Sequence, residues 1–309
     1  MNDVINKYLS NITKISYINS NVYIETFDNN YIVLDKKIDK NKLFDFFRKV
    51  DFNFFKYPLN NDSYEIYLLN NDSYEIYLLS NDYDVNKVSE IDLNMFIDCL
   101  SLLHKKTMEY DSISDDDFNK LYNYLYLKID DTYKYYLRLQ SKIEEKKFLS
   151  PGEFLLINNI SMIYKLLDYS LYKLDSLNNC DKDFHMCVLI NKVSSDNFDG
   201  SFIDFNYYSK GISLFDLDLF FKNYYYANLI SLFDRYCYNI SVNDCNLSLF
   251  LCLISIVWKV DFSSTNFNNC FRVRSLLDYV NKVFNFISEK DKENEKTNEN
   301  KLEEEDNNI

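Results

Sequence analysis

Glycine is nearly missing from this chain: three residues in 309, none of them before Gly152. Proline is rarer still, at two. No glycine-rich loop in the first half can therefore bring backbone N–H groups against a triphosphate. Two histidines and no C-x-x-C pair argue against a zinc cage. The seven cysteines, at 99, 180, 187, 237, 245, 252 and 270, are odd in number and lie mostly in apolar surroundings. They read as small core residues suited to a reducing cytoplasm. MNDVINKYLSNITK, at the start, lacks a signal-type apolar stretch. The longest apolar run, Leu247–Val257, is too short to cross a bilayer and reads as a buried core helix. A basic patch is also missing. The net charge is −14, and the segment Glu289–Ile309 carries −5 of it. Duplex binding needs positive charge against phosphates, so nucleic acid is excluded as a partner. These absences predict a soluble cytoplasmic protein with no membrane partner.

What the chain does have is core material. Hydrophobic residues make up 47% and aromatic residues 17%, with 28 Tyr and 25 Phe. That places it among globular proteins. The abundance of Asn and Lys, beside a single Ala, reflects AT-rich coding DNA rather than function. The length suits one large two-lobed domain or two small ones.

Residues 14–35, KISYINSNVYIETFDNNYIVLD, alternate as three short strands joined by Asn-rich turns. Asp39 is placed to cap a helix over Lys40–Val50, with Leu43, Phe46, Phe47 and Val50 on one face. Then comes a tandem repeat. Asn61–Asn70 reads NDSYEIYLLN and Asn71–Ser80 reads NDSYEIYLLS. Each copy predicts a strand and a turn, with Tyr64, Ile66 and Leu68 alternating against Glu65 and Tyr67. Two copies do not make a solenoid. From Ser89 the period turns helical. Ser89 and Asp92 form a capping-box pattern, and a long helix is predicted over Asp115–Lys146. Ser150-Pro151-Gly152-Glu153 is the clearest helix start in the chain. Residues 186–206 return to strand character around a turn at Asp199-Gly200. Helices are predicted again over 214–224, 226–237, 245–258 and 271–288. The expected division is a β-rich N-lobe over 1–84, a helical C-lobe over 85–288 with an internal β-hairpin, and a disordered acidic tail over 289–309.

The segment Ile190–Phe221, INKVSSDNFDGSFIDFNYYSKGISLFDLDLFF, resembles the catalytic segment of aminoglycoside phosphotransferase and choline kinase-like proteins, nearest the CotS-type spore-coat branch. That family carries H-x-D-x-x-x-x-N, a strand ending I-D-F/W, and a D-L pair opening a helix. The family Asn falls on Asn197, the metal-binding Asp on Asp204 and the helix-opening Asp on Asp216. The twelve-residue step from Asp204 to Asp216 fits the family spacing. Leu102-Leu103-His104-Lys105-Lys106-Thr107 and Ser150-Pro151-Gly152-Glu153-Phe154-Leu155-Leu156 resemble two further family helices. The resemblance implies an α+β, protein-kinase-like two-lobed fold, with ATP and Mg²⁺ as the cofactors of the active enzymes. It implies Asn197 and Asp204 as a metal pair and Asp216 as a brace for the catalytic loop. The phosphate-holding strand lysine falls on Lys36 or Lys37, with Lys36 favoured by strand alternation and Asp45 as its helix partner.

The departures from the family are chemical. The family His position is Ile190 and the catalytic Asp position is Lys192. A charged Lys accepts no proton from an acceptor hydroxyl, and loss of a catalytic base costs a factor of about 10² to 10⁴. The resemblance then implies a pseudokinase, a non-enzyme that retains no cofactor. It acts through a protein partner as a scaffold, regulator or spore-coat-type component. Two other readings stay open. One is an active ATP-dependent phosphotransferase acting on a small-molecule hydroxyl or amine, with Asp196 as base. The other is a non-kinase, α-rich interaction protein. Lys192 is placed to pair with Asp196 or Asp204 and fill the metal's position. His104 is expected to bond locally and His185 to have no catalytic partner.

Overall fold

The computed structural model describes residues 12–18, 21–56, 74–80, 92–109, 113–180, 182–184 and 186–306, the last stretch from 293 as backbone only. The first copy of the repeat, Ser89 and His185 lie outside the described residues. The chain divides into two compact units. Unit 1 comprises Met1–Glu109, Met186–Asp216 and Asp234–Ser241, and unit 2 comprises Tyr110–His185, Leu217–Phe233 and Val242–Ile309.

Unit 1 is built on an antiparallel sheet of β1 (Ile12–Ile18), β2 (Asn21–Thr26), β3 (Asn30–Asp35) and β4 (Tyr74–Leu79), in that order. The three strands expected over 14–35 are there, and β4 is the second copy of the repeat. Side chains alternate along each strand, and both faces of this sheet are covered. One face carries Tyr23, Ile32, Leu34, Tyr77 and Leu79 against Ile203. The other carries Val22, Ile24, Val33 and Ile76. The alternation expected of the repeat holds, with Ile76 on one face and Tyr77 on the other, and two-sided burial leaves Glu75 and Tyr77 at only 6% and 0% exposure.

Helix α1 (Asn41–Lys49) buries Leu43, Phe44 and Phe47. Its N-cap is Lys40, which makes no side-chain cap bond, whereas Asp39 accepts from the Asn41 N–H at 3.1 Å. Helix α2 (Leu93–Thr107) is capped by Asp92 itself, which accepts from the N–H groups of Asn94 and Met95. Two strands, β5 (Met186–Leu189) and β6 (Ser209–Ile212), pair antiparallel. This is the internal hairpin, but its strands are shorter and further apart than the sequence predicts. Residues 190–208 form a long loop between them. The turn at Asp199-Gly200 lies within that loop, with Gly200 at φ 65° and an isolated bridge between Phe198 and Phe202. Aromatic packing anchors this loop. Phe47 meets Phe205 at 5.2 Å, and Phe96 meets Phe198 at 4.6 Å and Phe202 at 5.4 Å.

Unit 2 is helical. Helix α3 (Asp115–Glu144) starts on Ser114, and α4 (Pro151–Ser176) starts on the capping box of Ser150 and Glu153. The Ser150 N–H donates to Glu153 Oε2 at 2.8 Å. Helices α5 (Leu214–Asn223) and α6 (Leu229–Asn239) each run from one unit's residues into the other's. Helix α7 (Asp244–Ser255) is the expected buried core helix, with Leu249 to Ser255 all buried. Phe221, Phe250, Phe233 and Phe286 pack at centroid distances of 5.1–5.9 Å. Helix α8 (Asn266–Asp306) continues through the segment expected to be a disordered tail. Lys and Glu there have high helix propensity, and Lys292 lies 3.6 Å from Glu289, one turn away. No helix among the described residues is long and apolar enough to cross a membrane. Four of the seven cysteines are buried.

Candidate functional site

The loop 190–208 owes its shape to one carboxylate. Asp216, in the first turn of α5, accepts from the Ile190 N–H at 2.7 Å through Oδ2 and from the Asn191 N–H at 3.0 Å through Oδ1. Asn191 sits at φ 57°, a left-handed conformation that Asn tolerates better than most residues. Behind Asp216 lies His104 of α2, with Nε2 at 3.3 Å and Nδ1 at 2.8 Å from the Tyr236 hydroxyl. All three side chains have 0% exposure. The carboxylate can only accept, so Nε2 carries the proton that faces it. His104 therefore bonds across the unit rather than locally. Asp216 occupies the bracing position that the sequence implies, and Ile190 offers the brace only its backbone.

A second carboxylate, Asp204, anchors the centre of the loop. Asn197 holds it through the main chain: its Nδ2 donates to the carbonyls of Lys192 (2.9 Å) and Asp204 (3.0 Å), and its Oδ1 accepts from the Asp204 N–H at 2.5 Å. The Asn197 amide is thus engaged on both its atoms and is 0% exposed. The Asp204 carboxylate accepts from the Asn206 N–H at 2.8 Å. Two ammonium groups flank it, Lys192 Nζ at 3.3 Å from Oδ2 and Lys40 Nζ at 3.9 Å from Oδ1. Lys192 also lies 3.5 Å from Asp196 Oδ2. Asp196 is further held by Ser194 Oγ and by Asn21 Nδ2.

Lys40 is the lysine that sequence reasoning missed. It is 2% exposed, and its Nζ lies 2.5 Å from Glu75 Oε2. The Tyr77 hydroxyl donates to the same oxygen at 2.8 Å and accepts from Lys40 at 3.2 Å. Burial first, then the Glu75 charge, push the Tyr77 phenol well above its usual range, so it stays a donor. Asp45 is not the acidic partner. It is exposed and pairs with Arg48 at 2.8 Å on its own helix. No spacing rule would have found the Lys40–Glu75 pair, because β4 follows a long connection. A buried charge left alone is strongly unfavourable. Lys40→Ala should therefore cost about 3–5 kcal/mol of folding stability by urea unfolding. A cost below about 1 kcal/mol would remove the pair from the account of the site.

A cavity of about 280 Å³ opens beside Asp204, lined in part by Lys37, Lys192, Asn206 and Tyr207. Lys37 lines it and Lys36 does not, because β3 ends at Asp35 and the alternation stops there. The Lys37 ammonium bonds the Tyr207 hydroxyl, which holds the lysine above its ordinary pKa. Among the described residues, no group of three or more His, Cys, Asp or Glu could hold a metal ion.

Among solved structures, an aminoglycoside phosphotransferase from Alicyclobacillus acidocaldarius matches with a TM-score of 0.63, 11% identity and 94% of each chain covered. The fold is that of the aminoglycoside phosphotransferases. The AMP-bound complex of a spectinomycin phosphotransferase matches at a TM-score of 0.55 and 9% identity, over 91% of this chain and 96% of that one. No family model matches the chain, and no curated protein does. Within the phosphotransferase-type fold, the loop with Asp204 and Asp216 is where the sequence resemblance places the catalytic segment.

Proposed function

We propose that this chain is a catalytically impaired kinase-fold protein that acts by binding a protein partner rather than by transferring phosphate. One observation carries the reading. The Lys192 ammonium lies within 3.5 Å of both Asp196 and Asp204, in the place where a phosphotransferase of this fold needs a base and a hard cation. Lys192 neither takes a proton from a hydroxyl nor leaves room for a second positive charge. With Asn197 consumed by main-chain bonds, the remnant pair offers a metal only the crowded Asp204 carboxylate. Charge points the same way. Lys37, Lys40 and Lys192 are matched by Asp35, Glu75, Asp196 and Asp204, so the site has no positive surplus to hold a triphosphate without metal.

An active enzyme with Asp196 as base is the competing reading. Ser194, Asn21 and Lys192 already engage the Asp196 carboxylate, and it does not line the cavity. Thermal unfolding with millimolar ATP, with and without Mg²⁺, separates the two. A ligand at about 100 times its Kd would stabilise the fold by roughly 2.7 kcal/mol. The expected result is no Mg²⁺-dependent shift. A shift that depends on Mg²⁺ and disappears in Asp204→Asn would overturn the proposal.

A further inference from the structure

In unit 2 the first turns of α4 and α8 meet almost backbone to backbone. A Cβ on Gly152 would lie 3.1 Å from the Cys270 nitrogen and 3.2 Å from its Cα, tighter than side chains ordinarily pack, so glycine allows the approach. Four phenylalanines stand within four residues of that point along the chain. Phe148 and Phe154 flank the start of α4, and Phe267 and Phe271 are one turn apart on one face of α8. All four are 61–82% exposed.

At roughly 200 Å² per phenylalanine, the four leave about 570 Å² of aromatic surface in water. Exposed apolar patches of that size mark interaction surfaces. A standard interface takes about 800 Å² from each partner, and in homodimers about 65% of it is apolar. The four rings supply that apolar share.

Charge decides what covers them. The ion pairs at the rim are closed within the chain: Lys146 bonds Glu153, and Arg272 lies 3.3 Å from Asp261. The Lys147 ammonium sits over the Phe148 ring at 5.6 Å. A partner of opposite charge finds little to pair with here. Copies of a chain with net charge −14 repel one another over most faces. This face is the exception. Residues 142–154 carry three Lys and three Glu, and 261–275 carry one Asp and two Arg, so neither segment has a net negative charge.

We propose that this end of unit 2 is a two-fold interface between two copies of the chain, with Phe148, Phe154, Phe267 and Phe271 at its centre. A two-fold contact uses the same patch on both copies, so each ring is buried twice.

Sedimentation equilibrium of the full chain tests this. Interfaces of this size bind with micromolar or tighter affinity, so at about 50 μM the parent should run at twice the 37.1 kDa chain mass. Phe267→Glu with Phe271→Glu sets like charges against each other across the two-fold. That double variant should raise the dissociation constant at least about a hundredfold while its circular dichroism stays that of the parent. Phe148→Ser with Phe154→Ser, on the other helix start, should raise it at least about tenfold. Tyr238→Glu, at an exposed aromatic of unit 1, should leave it unchanged. A parent at the chain mass at that concentration overturns the proposal. So does a dimer that survives either double variant or falls apart in Tyr238→Glu. A monomer that instead co-sediments with phosphatidylglycerol vesicles gives the rings to a lipid surface and overturns it as well.

Discussion

Mg²⁺ should raise the unfolding temperature of a Lys192→Ala variant by a few degrees while leaving the parent protein unchanged. The parent places one ammonium within 3.5 Å of Asp196 and Asp204, which are 7% and 4% exposed. Removing it leaves two largely buried carboxylates facing a space the size of an ammonium group. Breaking a fully buried pair costs about 3–5 kcal/mol. Lys192 keeps 22% of its side chain in contact with solvent, so the expected loss is nearer 1–3 kcal/mol. A hard divalent cation prefers oxygen ligands and can replace the lost charge. At ten times its Kd it returns about 1.4 kcal/mol. The measurement is a pair of melting curves for each protein, with and without millimolar Mg²⁺. Equal responses in parent and variant would show that Lys192 does not occupy a cation's place.

Asp216→Ala should be the single substitution most damaging to the loop. It strands the N–H of Ile190, which is fully buried, and that of the exposed Asn191, and takes away the partner of the buried His104. Each buried donor left unsatisfied costs about 1–3 kcal/mol, and the loss of a buried charge partner adds to that. The expected total is about 3–5 kcal/mol, a large part of the stability of an ordinary domain. Urea unfolding measures it. His104→Ala removes one of the three contacts and should cost less. A loss of under 1 kcal/mol in Asp216→Ala would mean that the loop is held by its aromatic residues alone.

Much of this was legible because local chemistry leaves local marks. Ser150, Pro151 and Glu153 state a helix start in four residues, and the capping box is there. Asp216 follows Asp204 at a readable distance and braces the loop as the resemblance implies. The pairing of Lys192 with both Asp196 and Asp204 also followed from their nearness in sequence. Lys40 and Glu75 were not legible. Their attraction depends on β3 and β4 being neighbours, and alternation in the repeat says which residues share a face without saying that both faces are covered. His104 failed for the same reason, its partners being distant along the chain. The hairpin was misjudged because apolar residues in 198–205 read as a strand, whereas they are anchors for a loop packed on Phe47 and Phe96.

The loop is held at 190, 191 and 192 by main-chain atoms: two N–H groups on Asp216 and one carbonyl on Asn197. Any residue other than proline supplies those atoms. Positions 190 and 192 can therefore exchange side chains while the loop keeps its course. A fold wired in this way can lose its chemistry through single replacements that selection for folding does not see, and the same replacements can be reversed without rebuilding the loop.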